Sequence, residues 1–356
     1  MSNPSEKIYF SKEVNAFLTN FSRRYPLAYL YQSINNLKNL KVLVIGEAII
    51  DDYHFGSTIG KSAKEPIIAL KYVNQETYAG GSLAIANHLA DFCQEVGLLA
   101  MIGDSDSYED FIKKNLKKNI KAVFFVKNNS PTVVKRRFVE DGTFRKMLEF
   151  YRINDSQLSK NQTRAMIGQL KSLLPQYDLI ICADFGHGMF NQDSRDFLIK
   201  NAKFLAINTQ ANAANFGYHT VSAYKKADYL CLDEREIRLE CKKRNGPLEE
   251  LAKEIFKKIN CRNMVVTLGP QGSLGFQNQS RLKLSRVPSV AIRSIDSVGA
   301  GDALFSITAV LLCNKTPMEV VCFIGNAVGA LAVGWLGNKK SVNKENLFGF
   351  IKTILA

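Results

Sequence analysis

The sequence predicts an α/β fold: a mostly parallel central sheet flanked by helices. Three features of the pattern predict it. Short, continuous apolar runs recur along the chain and end at a glycine or polar residue, as strands buried on both faces of a parallel sheet do. Stretches with helical spacing lie between these runs. Late in the chain a glycine-rich turn, Val298-Gly299-Ala300-Gly301-Asp302, opens onto an apolar segment, Ser306 to Leu312, with helical periodicity. A chain of 356 residues suits one large α/β domain or two small ones and is ample for a core.

Residues 1–40 read as a helical N-terminal extension. Ser11 can cap a segment with Val14, Phe17, Leu18 and Phe21 on its apolar face, and a second segment follows Pro26 through Leu30, Ile34 and Leu37. The main domain, 41–356, begins with the buried run Lys41 to Gly46. Glu47, Asp51 and Asp52 come next, at the carboxyl end of a central strand, where open α/β sheets bind ligands and a carboxylate can accept two hydroxyl hydrogen bonds. Surface acid is the other reading of Asp52.

Ile67–Val73, Ala122–Phe125 and Thr132–Val139 are rich in β-branched and aromatic residues. They suggest strands outside the main βαβ rhythm, within about 53–78 and 122–150. Between them Gly80 and Gly81 precede a helix from Leu83 through Leu89 and permit close backbone approach to a ligand. Alternation puts Lys135 and Arg137 on one face of their strand and Arg136 on the other. Two readings stand for Lys135 and Arg137: they bind a phosphate, or they form an exposed basic strand edge.

Further buried strands follow. Tyr177–Ala183 ends at Asp184-Phe185-Gly186-His187-Gly188, and Phe204–Ile207 ends at Asn208-Thr209-Gln210. Asp228–Leu232 ends at Asp233-Glu234-Arg235-Glu236, an acidic helix start, and Asn263–Ser273 reads as strand, turn, strand. Val287–Ile292 alternates like a strand leading into the glycine turn.

That turn aims backbone N–H groups at one point. Without a Cβ at Gly299 and Gly301 the chain can approach a phosphate, and the helix dipole adds partial positive charge there. Asp302 falls in the first helical turn, where this field is expected to keep its carboxylate ionised at neutral pH and ready to accept a proton. Donors for a migrating phosphoryl group beside a base for a hydroxyl make a phosphotransfer site. An ordinary acidic helix start is the bland reading of the same residues.

Composition bounds the rest. The hydrophobic share of 46% and charged share of 22% are those of a soluble globular protein. No apolar run reaches the roughly 20 residues of a bilayer span, and the polar start lacks a signal-peptide core, so a cytoplasmic protein without membrane contact is expected. Seven cysteines without a Cys-x-x-Cys pair fit reduced, buried thiols better than disulfides or zinc. The net charge of +14 is spread through helical stretches, which reads as a solvated basic surface that steers anionic substrates; nucleic acid is not an expected partner.

Asp296-Ser297-Val298-Gly299-Ala300-Gly301-Asp302 resembles the C-terminal signature of the ribokinase-like, PfkB-type sugar kinases, whose usual form has Asp-Thr in the first two places. The resemblance covers about residues 41 to 352 and is nearest to the heptose-7-phosphate kinase branch. It implies a ribokinase-like fold with the extra strands as a small lid over the sugar. It also implies Asp302 as the catalytic base and an anion hole at Gly299, Ala300 and Gly301. By the same resemblance, Thr267, Gly269, Gly272 and Asn326 bind ATP, and Asp51, Gly80, Gly81, Lys135 and Arg137 bind the sugar. The same resemblance places Glu236 as the Glu of the family's Asn-x-x-Glu motif, which orders Mg2+-bound water, with Asp233 in place of the Asn as a second residue toward Mg2+.

ATP and Mg2+ are thus the implied cofactors, with a monovalent cation as a further candidate. The implied reaction is transfer of the γ-phosphoryl group to a sugar or sugar phosphate, for example at C1 of a heptose 7-phosphate. The sequence departs from the branch pattern at Ala84, His187, Asn208, Gln210 and Asp233. Those departures leave open a kinase of the same fold for another sugar or nucleoside, or a nucleotide- and sugar-binding protein without turnover. No nucleotidyltransferase motif flanks the domain, so a single activity is expected. Lid strands with free edges point to a homodimer paired through the lid.

Overall fold

The computed structural model describes residues 9–356. Strands β1 (Lys41–Lys61), β2 (Ile68–Gly81), β3 (Glu95–Ser105), β4 (Ile120–Pro131), β5 (Val133–Glu140), β6 (Lys146–Arg152), β7 (Leu179–Asp184), β8 (Leu205–Thr209), β9 (Lys226–Asp233), β10 (Asn260–Thr267), β11 (Ser273–Asn278) and β12 (Leu282–Val287) form one 12-stranded sheet. Its path runs β12-β11-β10-β9-β8-β7-β1-β3-β4. All neighbours on that path are parallel except β10–β11 and β11–β12.

The helices are α1 (Lys12–Arg24), α2 (Leu27–Asn35), α3 (Ser82–Leu89), α4 (Glu109–Asn115), α5 (Lys160–Leu173), α6 (Gln192–Asn201), α7 (Glu234–Cys241), α8 (Leu248–Lys258), α9 (Ala300–Cys313), α10 (Met318–Ala332) and α11 (Lys344–Leu355). Two apolar clusters form the core. One includes Val44, Val265, Phe305 and Phe323, the other Ile45, Ile180, Leu230 and Val266. Alternate residues of the same strands feed the two clusters, as period-2 side chains on a sheet covered on both sides must.

Strand β1 joins sheet and lid. Lys41–Glu47 pairs in parallel with β3, and Val42–Gly46 with β7. From Ala48 the strand leaves the main sheet, pairing antiparallel with β2 and, from Ile49, in parallel with β5, which pairs with β6. The lid has its own small core of Tyr53, Phe55, Tyr78, Val139 and Leu336. Because one continuous strand carries Glu47 and Asp51, the lid's inner face is registered against the main sheet.

Two expectations are corrected. Ala122–Phe125 belongs to β4, which pairs in parallel with β3 at the edge of the main sheet, not to the lid. β-branched content marks a strand but not its neighbour. The strand read over Val287–Ile292 stops at Val287, because Pro288 has no N–H to extend the ladder. The turn is reached through an irregular segment.

The N-terminal helices lie where their apolar faces predict. Ser11 accepts a hydrogen bond from the Val14 amide and caps α1. Phe21 packs on Phe323 of α10 at 4.2 Å between centroids, and Tyr31 stacks on Phe348 of α11 at 4.3 Å. Residues 1–8 of the predicted extension lie outside the described residues.

Candidate active site

A cavity of about 1360 Å³ separates the inner face of the lid from the carboxyl ends of the main strands. Gly299, Ala300, Gly301 and Asp302 line it, as do Asp51, Gly81, Lys135 and Arg137 from the lid strands and Asp233, Glu236, Thr267, Gly269, Gly272 and Asn326 from the main domain. Gly80 is the exception: a Cβ there would strike the Asp51 carboxylate, so this glycine makes room for Asp51 rather than lining the cavity.

The turn before α9 is anchored by Asp296. Its carboxylate accepts from the Val298 amide at 3.0 Å, the Gly337 amide at 3.1 Å and the Tyr53 hydroxyl at 2.8 Å, and it pairs with Lys146. Gly299 has φ +81° and its missing Cβ is filled by Asn338, so only glycine fits. Gly301 has ordinary backbone, and a Cβ there would meet nothing within 4 Å: it faces open cavity. The first amides of a helix have no acceptor within it. The Ala300 amide does have one outside, the Ser297 carbonyl at 3.3 Å, so Gly299 and Gly301 are the better placed donors of the predicted trio.

Asp302 is buried and opens to the cavity. Its pKa is pushed up to about 7, first by burial and then by the charge of Asp51, with Lys135 opposing. The expectation of a carboxylate held ionised by the helix dipole is therefore corrected. Desolvation outweighs the dipole, which is worth about 1 kcal/mol in an exposed first turn.

Asp51 is held on both oxygens. Arg137 Nη1 donates to Oδ1 at 2.6 Å and Asn338 Nδ2 to Oδ2 at 2.9 Å, while Arg137 Nε donates to Glu149 at 2.8 Å. Asp52 points to the outer face and accepts from Arg136 and Gln75 at 2.7 and 2.6 Å. Lys135 and Arg137 are each 5% exposed, which removes the reading of an exposed basic edge. Arg137 is neutralised by two carboxylates. The Lys135 ammonium sits over the rings of Tyr151 and Phe185 at 5.6 and 5.9 Å, and burial lowers its pKa against the attraction of Asp51.

At the far side Asp233 and Glu236 form a reciprocal cap on α7. The Glu236 amide donates to Asp233 Oδ1 at 2.6 Å; Glu236 accepts from the Asp233 amide at 2.8 Å and the Ala211 amide at 2.9 Å. Burial, followed by the Asp233 charge, raises Glu236 to about 8. Among the described residues no group of three or more His, Cys, Asp or Glu could cage a metal. The pair suits a cation carried mainly by phosphate oxygens and water, the usual habit of Mg2+. Asn326 lines the cavity, but its amide nitrogen donates to the Val287 and Pro288 carbonyls at 3.0 Å each, so it fixes the end of β12.

The departures from the branch pattern have distinct fates. Ala84 lies outside the large cavity, and Asn87 is engaged with Asn115 and Lys117. His187 is fully buried without a hydrogen bond to either ring nitrogen, and burial depresses its pKa to about 3. It supplies no charge in place of lysine. Asn208 and Gln210 line the cavity, Asn208 donating to the Cys231 carbonyl at 2.9 Å. Asn338, Glu149 and Arg235 also line it and escaped sequence reading.

A model of the pfkB family carbohydrate kinases matches residues 39–344. The chain is 25% identical over 314 residues to the bifunctional protein HldE of Haemophilus influenzae, covering 87% of this chain and 63% of that protein. Against HldE of Pasteurella multocida it is 24% identical over 323 residues, 89% of this chain and 65% of that one. The chain thus spans less than two thirds of these relatives' length. Among solved structures, Escherichia coli phosphofructokinase-2 in complex with potassium superposes with a TM-score of 0.70 at 15% identity, covering 88% of this chain and 99% of that one. Thermotoga maritima ribokinase does so with 0.64 at 20% identity, covering 88% and 99%.

Proposed function

This chain belongs to the pfkB family of carbohydrate kinases, and we propose that it transfers the γ-phosphoryl group of ATP to a hydroxyl of a sugar or sugar phosphate held under the lid. The observation that carries this reading is Asp302: a buried carboxyl with a pKa near 7 at the start of α9, facing the same cavity as Gly299, Gly301 and Asp51. A base titrating near working pH combines availability with driving force for proton removal.

Asp51, fixed by Arg137 and Asn338, accepts hydrogen bonds from the acceptor's hydroxyls and aims one at Asp302. As the acceptor oxygen bonds to the γ-phosphorus, the bond to the β-phosphate oxygen breaks and the hydroxyl proton passes to Asp302. The Gly299 and Gly301 amides, with a lesser share from Ala300, stabilise charge on the transferring group. Thr267, Gly269, Gly272 and Asn326 bound the nucleotide half. Asp233 and Glu236 are the residues to hold Mg2+ through water, and Mg2+ would neutralise phosphate charge. A monovalent cation is a further candidate cofactor.

For the acceptor, C1 of a heptose 7-phosphate is the first candidate, supported by the resemblance to that branch. A second reading, a neutral sugar, is favoured by one observation: Arg137 is engaged by Asp51 and Glu149, so a phosphate would meet one cation, Lys135, and not the pair. A panel of sugars, sugar phosphates and nucleosides with ATP consumption as readout, run beside Asp302→Asn, separates these readings. Binding of ATP and Mg2+ without transfer to any acceptor would favour a binding protein instead. Self-association through the lid is also proposed. Seven free cysteines fit a cytoplasmic setting.

A further inference from the structure

We infer that the helical segment preceding the family-matched region supplies part of the nucleotide-base site, with Phe10 and Val14 forming a wall against a purine ring. The inference rests on the kinase reading above. The family match begins at residue 39, after α1 and α2, yet Phe10, Ser11 and Val14 line the large cavity together with Gly329 and Ala330 of α10 and Val333.

The packing of α1 explains how they get there. Arg24 makes a two-pronged ion pair with Glu319 at 2.6 and 2.6 Å, and Phe21 packs on Phe323. The last turn of α1 therefore lies on the first turn of α10, and the two helices run in opposite directions. Val14–Arg24 and Glu319–Ala330 are about 15 and about 17 Å long at the helical rise per residue. The start of α1 is thereby carried to the end of α10. Leu18 and Phe21 bury the apolar face of α1, and the Asn15 side-chain amide donates to the Phe10 carbonyl at 3.1 Å, which ties Phe10, two residues before the helix, to its first turn.

The chemistry of that corner fits a base better than a phosphate or sugar. Asp51, Lys135 and Arg137 mark the acceptor end, and the glycine turn marks the site of phosphoryl transfer. A nucleotide reaching the turn from the other side places its base near α10. There Phe10, Val14, Ala330 and Val333 present apolar surface, and Phe10 and Val14 are only partly buried in the free protein. A partly buried aromatic side chain that lines the cavity is suited to packing on a planar heterocycle.

The test uses the full chain. ATP and inorganic tripolyphosphate, which lacks a base, are titrated calorimetrically into the unaltered protein, Phe10→Ala, Val14→Ser and, as a control on the exposed face of α1, Asn20→Ala. Expected is a weakening of ATP by roughly three- to tenfold in the first two variants, with tripolyphosphate and the acceptor KM unchanged, and no effect of Asn20→Ala. Unchanged ATP affinity in both cavity variants overturns the wall while leaving the kinase reading intact. An equal loss for ATP and tripolyphosphate also overturns it, because the residues would then act through the frame of α10. Absence of ATP binding by the unaltered protein would instead remove the kinase reading, and this inference with it.

Discussion

At the scale of single residues, Asp302 is a compromise between stability and chemistry. Its pKa of about 7 predicts that kcat/KM climbs as pH passes through 7, since only the ionised form accepts a proton. Asp302→Asn should lower kcat by about 10²- to 10⁴-fold while ATP affinity, read by calorimetry, stays within about twofold of the unaltered protein. Stability has the opposite sign. A carboxyl whose pKa is raised on folding stabilises fully below its unfolded value near 3.8, and that contribution is lost as pH rises through 7. Asp302→Asn should therefore melt higher than the parent at pH 8 and show no such gain at pH 4. A parent that melts equally well at both values relative to the variant would contradict the burial of this group.

Lys135 offers a second test at the same scale. Its charge lowers the Asp302 pKa against the rise caused by burial and Asp51. Replacing it with methionine keeps the packing on Tyr151 and Phe185 and removes the charge. The acid limb of the pH–rate profile should move to higher pH in Lys135→Met; a limb that stays put would dissociate the two groups. Asp302 could be picked out from sequence because a glycine turn before an apolar helix is local. Its ionisation could not, because burial depends on what the lid covers. Asn338 and Glu149 were illegible for a similar reason: each meets Asp51 or Arg137 only through tertiary contact.

At the scale of elements, the turn before α9 separates fold from function. Gly299→Ala puts a side chain on left-handed backbone already filled by Asn338, so it should cost about 1–3 kcal/mol of stability, measurable by denaturant titration. Gly301→Ala has ordinary backbone and empty space ahead of it, so it should fold like the parent yet lose ATP turnover, its methyl group standing where phosphate belongs. Equal activity in Gly301→Ala would mean that the phosphate lies elsewhere. Sequence revealed this turn but misjudged its approach, since alternation in Val287–Ile292 hid the arrest at Pro288. It also assigned β4 to the lid, because strand-forming residues do not disclose which neighbour they pair with.

At the scale of the whole molecule, the lid presents two unlike faces. Register pairs Arg136 with Phe150 and Phe138 with Leu148, and Asp52 with Arg136, so Leu148 and Phe150 share the outer face with Asp52 and Arg136, opposite the cavity. Leu148 and Phe150 are each 61% exposed, and Tyr72 on β2 is 66% exposed. Apolar side chains standing on the outer surface of a sheet are the usual mark of an interface. A second copy meeting the first lid to lid would cover them by self-complementarity, as a two-fold contact requires. The chain should therefore sediment as a dimer at micromolar concentration, and Leu148→Asp with Phe150→Asp should yield a monomer with unchanged melting temperature. Because Glu149 and Tyr151 alternate with these residues and face the cavity, loss of the dimer should also loosen the acceptor side. The monomer is expected to show a raised acceptor KM with ATP affinity preserved; a parent that sediments as a monomer with full activity would remove the proposed pairing.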